Sequence, residues 1–206
     1  GGVHVEMAMR YGKPSLKEAL TQFKQNGVTD VRVIPLYPQY ALSTSLSTEL
    51  RLEELNQKEF AKAFRFSFVK DFFNHPAFVA ALSDHTAKAL SQVDYDHLLI
   101  SFHGLPKSHL AEKIGSSVCN FENCCEQFSE KNRYCYRAQC FETARLLTQK
   151  LGLPKDKWSV SFQSRLTKGW IEPFTDQVIQ AMPGRGIKKL AVVCPSFVTD
   201  CLETLE

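Results

Sequence analysis

Five of the seven cysteines in this 206-residue chain fall in the stretch CNFENCCEQFSEKNRYCYRAQC, as Cys119, Cys124, Cys125, Cys135 and Cys140. Thiolates are soft ligands and good nucleophiles, so such a group could bind a metal ion, hold an iron–sulfur cluster, cross-link or react. Compartment narrows the choice. No apolar run approaches the roughly 18 residues that a membrane span needs, and GGVHVEMAMRYG has neither the charged n-region nor the apolar h-region of a secretory signal. The expected setting is soluble and cytoplasmic, with peripheral contact at a membrane surface left open. In a reducing compartment clustered cysteines more often bind metal than cross-link. Four thiolates would suit zinc, but the strong zinc signature of two Cys-x-x-Cys pairs is missing. They would equally suit a 2Fe–2S cluster, which tolerates irregular spacing because two irons divide the ligands. Five candidates compete for four places. Cys140, Ala144 and Leu147 share an i, i+4, i+7 stripe, so Cys140 could simply face a core.

Three further segments carry groups able to move protons or bind a ligand. In open α/β sheets ligands sit outside the carboxyl ends of the strands. SFHGLP (101–106) places His103 where an apolar strand gives way to a turn made by Gly104 and Pro106. Spacing alone fits a hydrogen-bonded structural histidine just as well. CPSFVTDCLETLE places Asp200 and Glu203 three residues apart on one face of an expected helix, where carboxylates also serve as caps and surface charge. LYPQYALSTSLS (36–47) brings Tyr37, Tyr40, Ser43 and Thr44 after a strand, in what could be an ordinary turn and helix cap.

The elements that must position these groups alternate in type. Strands are expected at 3–11, 29–37, 64–69, 97–104, 158–164 and 188–195. Helices are expected at 14–27, from near Ser43, at 75–93, at 136–152, from about Trp170 and from near Thr199. Ser15 and Glu18 stand at capping-box spacing and Gly27 at a stop position. This alternation predicts mostly parallel sheet, as one sheet or two, covered by helices. Two halves are expected, dividing between 70 and 98, in an internal piece of a longer protein. No nucleotide-binding glycine motif and no internal repeat is present, and the net charge of +3 gives no case for nucleic acid.

MRYGKPSLKEAL, LYPQYALSTS, SFHGLPKSH, SFQSRLTKGWIEPFTD and CPSFVTDCLETLE, in this order, resemble the ferrochelatase family across nearly the whole chain apart from roughly residues 111–134. The resemblance implies two Rossmann-like halves of the chelatase type, incomplete at both termini. Residues 1–75 would belong to the first half and 76–206 to the second, with a cysteine-rich insertion at about 111–135. It implies insertion of Fe²⁺ into a porphyrin, a terminal step of haem biosynthesis. A non-catalytic tetrapyrrole- or metal-binding module, or a cobalt or nickel chelatase, stands as the alternative. It implies His103 as the metal-facing catalytic histidine, Glu203 as its partner carboxylate and Arg10 with Tyr11 on the opposite wall. Trp170 would lie near the macrocycle, Tyr37, Tyr40, Ser43 and Thr44 in a pocket-side loop, and Gln163 and Ser164 at a strand end near the site. Cys201 stands where many family members have histidine and other bacterial members also have cysteine; with Cys194 it is expected to be a structural thiol. Some family members carry a 2Fe–2S cluster within an internal segment of this kind. That places the cluster ahead of zinc, held by four of Cys119, Cys124, Cys125, Cys135 and Cys140.

Overall fold

The computed structural model describes residues 2–110, 119–199, 201 and 204. They form two compact units, one of residues up to Pro35 with Leu42–Lys70, the other of Leu36–Ala41 with Asp71 onward.

In the first unit, helix α1 (Leu16–Gln25) starts at the expected capping box. Ser15 Oγ accepts from Glu18 N–H at 3.2 Å and the Glu18 carboxylate accepts from Ser15 N–H at 2.6 Å. Two orphan amides of the first turn are thereby satisfied. Strand β1 (Asp30–Val33) pairs in parallel with β2 (Arg65–Phe68), Val31 opposite Phe66. Between them a π-helical turn, Leu42–Leu46, leads into α2 (Ser47–Lys58). Leu20, Val31, Leu52, Leu55, Phe60 and Phe64 close this core. The strand expected at 3–11 does not form. Val3, Val5 and Met7 are 89%, 79% and 70% exposed, and only Met9 makes a bridge, to Ser15. Alternation of apolar and polar residues makes a strand only beside a neighbour that takes its amide hydrogen bonds. No described segment pairs with residues 3–8.

The second unit is built on a parallel sheet of order β4-β3-β5, with β3 (His97–His103), β4 (Trp158–Gln163) and β5 (Leu190–Val193). Strand β3 is central and buried on both faces, as its run HLLISFH suggests. Helices α3 (Pro76–Leu90), α4 (Tyr136–Lys150) and α5 (Thr175–Ala181) complete the unit, α3 packing against α4. The helix expected from Trp170 starts five residues later, at Thr175. Trp170 instead forms an antiparallel bridge with Pro106, and cis Pro173 precedes the helix. Proline lacks an amide hydrogen and disfavours helix in the residue before it. No helix among the described residues is long and apolar enough to cross a membrane.

Burial of His97 at the start of β3 makes this unit sensitive to acid. The ring is 1% exposed, its Nε2 is 2.9 Å from Ser159 Oγ, and burial pushes its pKa below the usual 6.5. Below pH 6.5 the unfolded chain binds a proton that the folded one resists. Stability is therefore full above that pH and falls as pH drops towards the lowered folded value. Urea unfolding at pH 7.5 and 5.5 is expected to show this loss, and a His97→Asn variant should show less of it.

Candidate active site and cysteine cage

His103 is the last residue of β3, and its register partner on β4 is Gln163. Its ring is half-buried, 6.4 Å from the Trp170 ring and 6.1 Å from the Phe197 ring, centroid to centroid. Nδ1 lies 2.7 Å from the Gly104 carbonyl oxygen. A carbonyl can only accept, so Nδ1 carries the hydrogen and Nε2 of the neutral ring keeps its lone pair. That lone pair can take a proton or bind a metal ion. The backbone of His103 is clamped at both ends. Its N–H donates to Ser196 Oγ at 3.2 Å, and its carbonyl accepts from the Tyr136 hydroxyl at 2.8 Å.

Gly104 accounts for the close turn that follows. A Cβ there would lie 2.7 Å from the Gln163 carbonyl oxygen and 3.2 Å from Trp170 Cε3. Gly104 N–H donates to that same carbonyl at 2.8 Å, while Leu105 O accepts from Ile171 N–H and Lys107 N–H donates to Gly169 O, each at 2.9 Å. These bonds hold Trp170 beside His103. Gly104→Ala is expected to lose about 1–3 kcal/mol, the usual range for overpacking a tight site, and to shift tryptophan fluorescence. Urea unfolding followed by fluorescence measures both. Beneath the histidine, Ser101 Oγ donates to Gln163 Oε1 at 2.6 Å and lies 2.9 Å from Thr175 Oγ1. Ser164, next along, has φ of 61°. Cys194 Sγ lies 3.6 Å from Gln163 Oε1, and burial raises its pKa.

The cysteine stretch folds into a cage. Cys119 Sγ is 4.0 Å from Cys124 Sγ, Cys124 Sγ is 3.8 Å from Cys125 Sγ, and Cys125 Sγ is 3.9 Å from Cys135 Sγ. These are non-bonded sulfur contacts, about twice the disulfide bond length of roughly 2.05 Å. The four make a chain of pairs, and no three metal-ligating side chains among the described residues converge on a single-ion site. Contact with Cys135, then burial, pushes the Cys125 thiol up. Contact with Cys125 draws Cys135 down, aided by the Ala138 and Arg137 amides at the start of α4.

Two asparagines shape the cage. Asn120 Oδ1 accepts from Glu122 N–H at 3.0 Å and Cys124 N–H at 3.2 Å. Asn132, 5% exposed, donates to the Cys124 and Gln127 carbonyls at 2.9 and 2.8 Å. Cys140 stands apart: it is fully buried in the main core with Ala144 and Leu147, and burial holds its thiol far above the usual value.

The remaining predicted site residues lie as follows. In the first unit the Arg10 guanidinium stacks 4.5 Å from the Tyr11 ring and Nε donates to Ser47 Oγ at 3.0 Å. Ser43 is exposed on the π-helical turn, and the neighbouring Thr44 Oγ1 is buried without a hydrogen-bond partner among the described residues. In the second unit Tyr37 is half-buried. Tyr40 is 3% exposed, packed edge-on against Tyr134 at 5.5 Å, its N–H donating to Gln139 Oε1 at 2.6 Å. Asp200 and Glu203 lie outside the described residues; between them Cys201 is half-buried. Sequence reasoning missed Asn120, Asn132, Tyr136, Arg137 and Ser196. The only hint was adjacency, since Tyr136 and Arg137 follow a cage cysteine directly.

A parallel sheet flanked by helices, whose central strand ends in a histidine beside an indole, places the chain in the α/β class. The ferrochelatase family model matches residues 1–206. The chain is 44% identical over 206 residues to the ferrochelatase of Pseudomonas fluorescens (strain SBW25), covering 98% of this chain and 60% of that protein. It is 43% identical over 204 residues to the ferrochelatase of Coxiella burnetii (strain RSA 493 / Nine Mile phase I), covering 98% of this chain and 56% of that protein. The chain belongs to the ferrochelatase family, and it spans about 60% of the length of the Pseudomonas relatives it matches.

Proposed function

We propose that the protein containing this chain is a cytoplasmic ferrochelatase, inserting Fe²⁺ into a porphyrin with loss of two pyrrole protons, late in haem biosynthesis. The observation that carries this reading is the His103 imidazole, held by the Gly104 carbonyl so that Nε2 keeps its lone pair. Metalation requires a base for the pyrrole protons and a ligand to help strip water from Fe²⁺. Neutral imidazole can do either near neutral pH. Trp170, 6.4 Å away, offers a face on which a flat macrocycle can stack. Glu203 is the proposed partner carboxylate, taking protons onward or helping deliver the cation. Arg10, Tyr11, Ser43 and Thr44 are the proposed porphyrin-contacting residues of one unit, and Tyr37, Tyr40 and Trp170 those of the other. We place residues 1–75 in one Rossmann-like half and 76–206 in the second.

The cage is proposed to hold a 2Fe–2S cluster through Cys119, Cys124, Cys125 and Cys135. The support is the run of sulfur contacts at 4.0, 3.8 and 3.9 Å, an all-thiol donor set in pairs, as a two-iron centre needs. When bound, such a cluster supplies a rigid cross-link and a one-electron redox centre. Zinc is the second reading for the same four sulfurs.

The test is an anaerobic assay of the complete protein with porphyrin and Fe²⁺, alone and in competition with Co²⁺ and Ni²⁺. Iron-porphyrin formation is the expected result. Porphyrin binding without turnover would instead favour a binding module, and preference for cobalt or nickel would favour a different chelatase.

A further inference from the structure

Three consecutive residues at the start of α4 reach three different places. Cys135 contributes a sulfur to the cage, 3.9 Å from that of Cys125. Tyr136 sends its hydroxyl to the His103 carbonyl at 2.8 Å and lies 3.1 Å from Ser196 Oγ. Arg137, itself buried, donates from Nε to the Glu172 carbonyl at 3.1 Å and from Nη1 to the Glu122 carbonyl at 3.5 Å. Glu122 lies on the cage loop between Cys119 and Cys124, and Glu172 two residues beyond Trp170.

The hydroxyl contacts have one self-consistent arrangement. Tyr136 has a single hydrogen and gives it to the His103 carbonyl. Ser196 must then donate to the phenol oxygen, and its Oγ accepts the His103 N–H at 3.2 Å. The result is a closed ring of three hydrogen bonds in which every donor has an acceptor. The ring fixes the backbone of His103, and through it the direction of the imidazole. Cys135 is the N-cap directly before Tyr136, and its carbonyl accepts from Gln139 N–H at 3.0 Å, so a shift of Cys135 is passed to the first turn of α4 and to Tyr136 within it.

We propose that Tyr136 is a positioning residue through which occupancy of the cysteine cage sets the placement of His103. Arg137 makes the parallel link to the loop that carries Trp170. A loaded cage pins Cys135, and with it the phenol that closes the ring around His103. An empty cage frees that turn, and the histidine loses one anchor. This rests on the metal-holding reading of the cage and is independent of the catalytic reading of His103.

The test measures His103 accessibility in the complete protein, as the rate of diethylpyrocarbonate modification read by peptide mass mapping. His85, exposed on α3, serves as internal reference. Wild type, Tyr136→Phe and Ser196→Ala are each compared as isolated and after iron removal by reduction and chelation. In wild type, iron removal is expected to speed His103 modification about fivefold, the factor that one net hydrogen bond makes in an equilibrium. In both variants the rate should already be raised by that factor with the cage loaded, and iron removal should add nothing. Equal sensitivity to iron removal in wild type and both variants would overturn the proposal, as would no effect in wild type. Ser196→Ala opens the same ring from its other side, so agreement of the two variants excludes a folding defect peculiar to one. A wild-type protein that retains neither iron with sulfide nor zinc would overturn the cage reading and this inference together. Coupling as described in a protein that never metalates a porphyrin would support the inference and sink only the catalytic reading.

Discussion

Replacing His103 with alanine in the complete protein is expected to lower kcat for iron insertion by on the order of 10²–10⁴, the span usual for losing a positioned acid–base group. The fall should appear in kcat far more than in KM. The ring is half-buried, and its hydrogen bond among the described residues goes to the neighbouring Gly104 carbonyl. The bonds of the His103 backbone to Ser196 and Tyr136, and of Gly104 N–H to the Gln163 carbonyl, do not need it. Thermal unfolding should therefore change little, which separates a chemical loss from a structural one. Steady-state rates of porphyrin metalation under anaerobic conditions, beside a melting curve, decide the matter. A variant that inserts iron at the parent rate would remove His103 from the mechanism.

The second large effect concerns the cage. Cys135→Ser is expected to abolish retention of iron and acid-labile sulfide, whereas Cys140→Ala should retain both at the wild-type ratio. The contrast follows from position. Cys135 sits at the end of the sulfur chain and at the start of α4, where neighbours draw its pKa down. Cys140 lies one turn further along in the dry core. Removing its sulfur should cost about 1 kcal/mol in packing, comparable to deleting a buried methylene. Iron and sulfide analysis with a visible absorption spectrum reads the outcome. Loss of the cluster in Cys140→Ala, or its survival in Cys135→Ser, would exchange their roles. Zinc with no sulfide in the wild type would replace the cluster reading with the mononuclear one.

Local signals proved legible wherever short-range physics decides the outcome. The Ser15–Glu18 capping box, the buried run at 97–103 and the helix from Tyr136 all form as expected. Each depends on neighbours within one turn or on an apolar run long enough to stay buried. Expectations failed where a distant partner decides. Residues 3–8 have the right alternation and no described neighbour to pair with. Trp170 has helix-compatible surroundings, yet pairing with Pro106 and a following proline hold it extended.

For the site, spacing alone left His103 open to a structural reading, and only the resemblance of whole motifs to a family pointed to it. That a dense thiol group needs a ligand or a core follows from residue chemistry, which does not depend on the fold. Which tautomer the imidazole holds and which four sulfurs meet were decided in three dimensions. So was the way a tyrosine beside one of those sulfurs reaches the histidine backbone 33 residues away. Hydrogen-bond direction and sulfur spacing depend on contacts that close only when strand ends and a helix start are packed together. No local pattern of residue types carries that information.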